Sequence, residues 1–337
     1  MEESNEVPTI EQLTEHLRAG AHEDVLTDLE QYESAAVEDR KDALQALRSF
    51  ATEQPSVFTS VLSGLVPFLT DQERSIRLTT AKLFVAIADA EPETVSAVVP
   101  ALADRLADED EFYYVRARSA EALGYVALDD PDAVASPEIL ADLRIGLSFD
   151  EPEVTEKLAK ALEYVALGRP QRLKHHVSTL ADHLDDDNEL VRYHLCTAIT
   201  VIGCEFPDSV VECQDALRTR LDDESDYVRG RAAEALGLLA QSDAVESPVR
   251  EDQLPTLKDD EASFVRERVQ FARDNLTGQM DVAERPDEVG CVEGIRNETE
   301  SVVEEIMAPD GDGQCAQCGL VLPEHGPPMC PRCGAPH

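Results

Sequence analysis

The amino-acid sequence predicts an all-α solenoid, a stack of helical hairpins sharing one elongated core. Three observations predict it. The stretch YVRARSAEALGYVA, from Tyr114 to Ala127, is nearly repeated as YVRGRAAEALGLLA, from Tyr227 to Ala240, 113 residues later. Weaker copies of the same start recur at nearly constant spacing. No segment before residue 312 shows strand-like alternation of apolar and polar residues.

The copies begin at Ile76-Arg77, Val115-Arg116, Val154-Thr155, Val191-Arg192, Val228-Arg229 and Val265-Arg266, spaced 39, 39, 37, 37 and 37 residues apart. A degenerate earlier copy starts near Arg40, in RKDALQALRSFA. So regular a period means stacked supersecondary units. Each unit opens with a helix carrying apolar residues at helical spacing, such as Val99, Leu102 and Leu106, or Leu180 and Leu184. An acidic turn follows: LADEDEF, LSFDEPE, LDDDNEL, LDDESDY or LKDDEAS. Its carboxylates are expected to cap the next helix and to sit at the positive end of its dipole. The Val-Arg helix completes the unit. Pro92, Pro131, Pro170, Pro207 and Pro248 fall between units, where helices end or start. One hairpin cannot bury its own apolar face, so stability comes mostly from neighbouring hairpins. The recurrent arginines Arg77, Arg116, Arg192, Arg229 and Arg266 are expected to form a ladder. Each would reach a turn carboxylate of its own or the next unit.

The D-D-x-x-x-x-V-R turn and the A-x-x-A-L-G-x-x-A helix resemble those of HEAT-repeat proteins, in particular the short HEAT-like repeats first associated with phycobilisome lyases. The resemblance covers roughly residues 60–274, and less clearly 8–59. It implies a right-handed α-α superhelix, with an array over residues 1–274. It implies little about function, because such arrays serve many roles. Deoxyhypusine hydroxylases of this kind hold iron through His-Glu pairs directly after the Val-Arg. The pairs here are Leu78-Thr79, Ala117-Arg118, Glu156-Lys157, Tyr193-His194, Gly230-Arg231 and Glu267-Arg268, so that chemistry loses its ligands. Nothing marks the pigment pocket of a phycobilin lyase. No nucleophile elbow, phosphate loop or dinucleotide fingerprint is present.

By analogy with the hydroxylases, the position two places after the recurrent arginine faces the concave side. Arg118, His194, Arg231 and Arg268 stand there. Two readings stand side by side. The line of basic groups selects an anionic partner, an acidic peptide or nucleic acid, or each group pairs with a neighbouring carboxylate.

Composition bounds the setting. The chain is 42% apolar, with 5% aromatic residues and no Trp. Its 70 acidic and 29 basic residues leave a net charge of −41, and only six of the basic residues are Lys. Molar salt shortens the Debye length to about 3 Å and screens such self-repulsion. A dense carboxylate surface with few Lys resembles the cytoplasmic proteins of salt-in, haloarchaeal-type cells; an acidic surface made for a basic partner is the rival reading. The start, MEESNEVPTIEQL, has no basic n-region or apolar h-region, and no apolar run approaches the ~18 residues of a membrane span. A soluble, cytoplasmic protein is expected.

Residues 275–312 read as an acidic linker with one short helix, ETESVVEEIM, transient or docked. Residues 313–337 hold CAQCG and CPRCG knuckles, Cys315 with Cys318 and Cys330 with Cys333, separated by 11 residues. Four thiolates at that spacing suit one structural Zn²⁺ in a closed tetrahedral shell. So short a segment buries no useful core, and metal binding would supply its folding free energy. It resembles a short zinc ribbon. The expected function is a non-enzymatic scaffold whose array binds a protein partner, with the ribbon as a second contact. The alternatives are a nucleic-acid-associated factor in transcription or repair and, third, an enzyme with an unrecognised site. No membrane or small-molecule partner is evident.

Overall fold

The computed structural model describes residues 7–242, 260–277 and 289–307. The chain opens with α1 (Ile10–Ala19), α2 (His22–Glu33) and α3 (Val37–Glu53). Thr9 caps α1 by accepting from the Gln12 N–H, and Gly20 ends it in the left-handed region at φ 67°. Each unit then pairs a short, irregular first segment with a long second helix. The 3-10 segment Leu62–Thr70 precedes α4 (Arg74–Ala90). Next, α5 (Pro92–Val95) and α6 (Val99–Ala107) precede α7 (Tyr113–Asp129), and α8 (Pro131–Val134) and α9 (Pro137–Gly146) precede α10 (Pro152–Gly168). Then α11 (Val177–Ala181) precedes α12 (Glu189–Glu205), and the 3-10 segment Pro207–Cys213 with α13 (Gln214–Arg220) precedes α14 (Asp226–Leu239). Finally come α15 (Ser263–Thr277), which runs slightly past residue 274, and α16 (Val292–Met307). No strand occurs among the described residues. The architecture is an all-helical repeat solenoid.

The second helices form a continuous row: α3 packs on α4, α4 on α7, α7 on α10, α10 on α12, α12 on α14 and α14 on α15. The residues that open the repeat, Ile76, Val115, Val154, Val191, Val228 and Val265, are all fully buried. One core cluster runs from Leu13 to Val302, so no hairpin closes a core of its own. The two near-identical helices share A-L-G for a packing reason. A Cβ on Gly124 would lie 2.9 Å from the Ala161 Cα of α10, and one on Gly237 would lie 2.7 Å from the Ala272 Cα of α15. The glycine sets how closely one second helix approaches the next.

The first segments are less regular than the apolar spacing predicts. Pro67 sits inside Leu62–Thr70 and holds it in 3-10 form, and α11 is only five residues long. Pro92, Pro131, Pro170 and Pro207 each stand at the first positions of a short helical segment, where a missing N–H costs nothing. Pro248 lies outside the described residues.

Candidate functional site

Each second helix carries basic side chains in two registers. The first register holds the Val-Arg arginines, at the turn. The Nη1 of Arg77 donates to the Asp71 and Gln72 carbonyls at 2.8 and 3.1 Å. Arg192 does the same to Asp186 and Asp187 at 2.8 and 3.2 Å, and Arg229 to Asp223 and Glu224 at 2.9 and 3.0 Å. Arg266 reaches Asp260 and Glu261 at 2.7 and 2.6 Å. In the first three of these the rest of the guanidinium spans to the next unit. Arg77 meets Glu111 at 2.7 and 2.8 Å, Arg192 meets Asp223 at 3.0 and 2.9 Å, and Arg229 meets Asp260 at 3.1 and 2.9 Å. Arg40 of α3 meets Asp71 at 3.1 Å and joins the same row. These arginines therefore tie their own turn to the following one.

Two positions depart from the pattern. Arg116 donates to the Leu106 carbonyl at 2.8 Å and packs 4.6 Å from the Phe149 ring centre, where neighbouring units present a carboxylate. Thr155 replaces the arginine of its unit and donates to the Pro152 carbonyl at 3.0 Å. The turn aspartates also act differently from simple caps. Asp71, Asp108, Asp186, Asp223 and Asp260 each accept from the backbone N–H two residues ahead, at 2.8–3.1 Å. This shapes the approach to the helix. Direct capping falls to Asn188 on α12 and Ser225 on α14.

The second register stands two residues further along each helix. Arg118, His194, Arg231 and Arg268 stand in it, and so does Lys157, which the sequence reading passed over although Glu156-Lys157 occupies the same two positions. Shared register was the signal that could have found it. Every member is paired. Arg118 donates to Glu121 at 2.5 Å, and Lys157 lies 2.9 Å from Glu156 and 3.5 Å from Glu121. Lys160 donates to the Tyr125 hydroxyl at 2.8 Å with its ammonium over the Tyr125 and Tyr164 rings. Burial alone would raise the Glu121 carboxyl, but Lys157, Arg118 and Lys160 outweigh it and hold it down at about 2. Burial lowers the Lys160 ammonium.

Further along the row the groups go deeper. The Arg118 side chain is 28% exposed, whereas Arg231 is 0%, Arg268 1% and His194 1% exposed. His194 Nδ1 pairs with the buried Glu163 carboxylate. Arg231 and Arg268 share Glu234, at 2.8 and 3.1 Å, and Arg268 also stacks 3.4 Å over the Phe264 ring. Burial pushes the Glu234 carboxyl up, and these two guanidiniums, aided by the Gly290 N–H, bring it below its usual value.

What covers this end is α16. It lies against α12, with Ile295, Thr299 and Val302 buried and Val292, Val303 and Ile306 packed at the margin of the core. Glu298 accepts from Arg231 at 2.8 Å and also pairs with Arg268. The Thr299 hydroxyl donates to Glu163 at 3.0 Å, and the Gly290 N–H donates to Glu234 at 2.6 Å. At the two ends, Arg296 pairs with Asp129 of α7 at 3.0 Å, and Tyr227 of α14 donates to Glu305. The expected segment ETESVVEEIM is thus the C-terminal part of a longer, docked helix. The missed residues are Glu298, Thr299 and Glu163. Their contacts join positions up to 136 apart and follow no period.

The zinc candidates Cys315, Cys318, Cys330 and Cys333 lie outside the described residues. Among the described residues no group of three or more His, Cys, Asp or Glu is placed to hold a metal, and no helix is long and apolar enough to cross a membrane. Cys196 and Cys213 are buried, and burial raises both thiols, that of Cys213 to about 12. They pack as small apolar groups.

Residues 177–272 match the HEAT-repeat family. No curated protein matches the chain. Among solved structures, an engineered protein is similar at a TM-score of 0.62 and 20% identity, over 89% of this chain and 76% of its own. A designed armadillo repeat protein is similar at 0.55 and 20% identity, over 63% of this chain and 98% of its own. A second designed armadillo repeat protein, solved in complex with the peptide (KR)4, is similar at 0.54 and 20% identity over the same shares. At these identities the likeness concerns the fold: the chain is a HEAT- and armadillo-like helical repeat solenoid.

Proposed function

We propose that this chain is a non-enzymatic interaction scaffold that binds a protein partner through the outward face of its second-helix row. The observation that carries this reading is that a helix already lies on that face, held by charge pairs and apolar contacts at once. A surface that takes one helix through buried arginines and a strip of apolar side chains has the chemistry to take a peptide. The designed relative bound to (KR)4 supports the general mode, a peptide on a repeat array, though its ligand is basic and the groups here are cationic. A nucleic-acid reading draws on cations free to release counterions from phosphate. Arg231, Arg268 and His194 face carboxylates instead.

The tail is proposed to hold one structural Zn²⁺ through Cys315, Cys318, Cys330 and Cys333. Four thiolates in two knuckles complete a tetrahedral shell, which suits a structural role. Joined to the array, such a module would add a second contact and raise avidity through effective concentration.

The test is affinity purification from the native source at its own salt, comparing the native chain with the Arg118→Glu, Lys157→Glu double variant. These two side chains are partly exposed and lie away from the contacts α16 makes. A defined protein retained by the native chain and lost by the folded variant is the expected result. A partner set that the variant leaves unchanged overturns the assignment to this face.

A further inference from the structure

The array does not neutralise its own buried cations. Arg231 and Arg268 are both almost fully buried, yet within the second-helix row they share one carboxylate, Glu234. The second negative charge comes from Glu298 of α16. The same C-terminal segment also donates to the row's buried carboxylates, the Thr299 hydroxyl to Glu163 and the Gly290 N–H to Glu234. A cation buried without its anion is strongly unfavourable, so any helix that covers these two arginines must bring a negative charge to them.

The occupant is described by α16 itself. It bears five carboxylates against one arginine, and its buried stripe runs Ile295, Thr299, Val302, with Ile306 at the margin. That is a helical face with a glutamate, Glu298, set beside the apolar strip at the position that meets both arginines. The rest of the contact is thin. Arg296 and Asp129 are each about half in water, with side chains 41% and 47% exposed, and such pairs contribute little. Beside them a recess of about 310 Å³, lined by Leu128, Tyr164, Leu167, Arg296 and Thr299, remains between α16 and the row. The helix therefore meets the charge requirement but fills the face incompletely.

We propose that this face is the binding site for an acidic amphipathic helix of a partner protein, and that α16 is the occupant in cis which that partner displaces. The inference rests on the reading above that the outward face of the row is the binding face. Because α16 belongs to the same chain as the row, it competes for the face intramolecularly. A partner then sees an affinity reduced by the fraction of time the face is open. Opening α16 should raise affinity without any new contact.

The experiment uses the full chain and a fluorescent synthetic peptide spanning residues 289–307, followed by anisotropy at low and at molar salt. The opened variant carries Glu298→Lys with Val302→Asp, both in α16 and outside the repeat row. The expected result is weak peptide binding to the native chain and binding at least tenfold tighter to the opened variant. A peptide carrying Glu298→Lys should lose that gain, and a scrambled peptide of equal charge should not bind. Equal affinity of native and opened chains, with the array shown folded by its melting transition, overturns the proposal. So does equal binding of the scrambled peptide. Light scattering that shows the native chain as a stable dimer exchanging α16 between copies would make the occupant this chain itself and overturn it as well. A native partner lost on changing Arg118 and Lys157, yet indifferent to the peptide, would sink this inference and leave the scaffold reading standing.

Discussion

The same second helices carry two rows of basic side chains, two residues apart, and the rows obey different rules. The turn row answers to its own unit and the next. Arg77, Arg192, Arg229 and Arg266 repeat one pattern of backbone carbonyls, and the first three add a carboxylate of the following turn. The outward row pairs within its own helix at Arg118 and Arg231, with the preceding second helix at Lys157, His194 and Arg268, and at its C-terminal end with a helix from outside the repeat. A row that closes within the repeat holds the stack together. A row left short of anions is open to a ligand.

Substitutions should separate the two. The largest effect belongs to the turn row. Arg192→Ala leaves Asp223 buried with Arg220 as its remaining cation, and should cost about 3 kcal/mol of global stability by urea unfolding. A loss under about 1 kcal/mol would move this row to the surface class. The outward row should dominate the acid limb of stability. Glu121 titrates at about 2 in the folded chain against 4.5 for the free group, so its contribution is complete above about 4.5 and fades as the pH falls toward 2. The loss amounts to about 3 kcal/mol, and Glu121→Gln should flatten that limb of the unfolding profile. Gly124→Ala tests the spacing on which both rows depend. Its Cβ meets the α10 backbone, and a loss of about 2 kcal/mol is expected in thermal unfolding. The smallest global effect is expected from Glu298→Gln. It should loosen α16, read as faster amide exchange over residues 292–307, while the unfolding midpoint of the array shifts by less than about 1 kcal/mol.

The comparison also explains what can be read from sequence. Val-Arg spacing located the second helices, because their first apolar residue is always buried and the turn arginine serves its own turn in four of the units. Arg116 broke the ladder because a ring, Phe149, stands where a carboxylate was expected, and the acidic composition of LSFDEPE concealed it. The first segments were harder to read, because Leu62–Thr70 bends around Pro67 and α11 barely completes a turn. For the outward row, register alone brought Arg118, His194, Arg231 and Arg268 together, and the same register holds Lys157. Its occupant was out of reach. Glu298 meets Arg231 and Arg268 through tertiary docking, and nothing periodic links those positions.

Hydrogen exchange on the full chain, with and without the unlabelled 289–307 peptide, tests the docking of α16 most directly. Added peptide should release the amides of residues 292–307 to exchange while those of 226–239 stay protected, because one acidic helix has replaced another on an unchanged row. Protection of α16 that persists at millimolar peptide, or that falls only together with the array, would contradict the account.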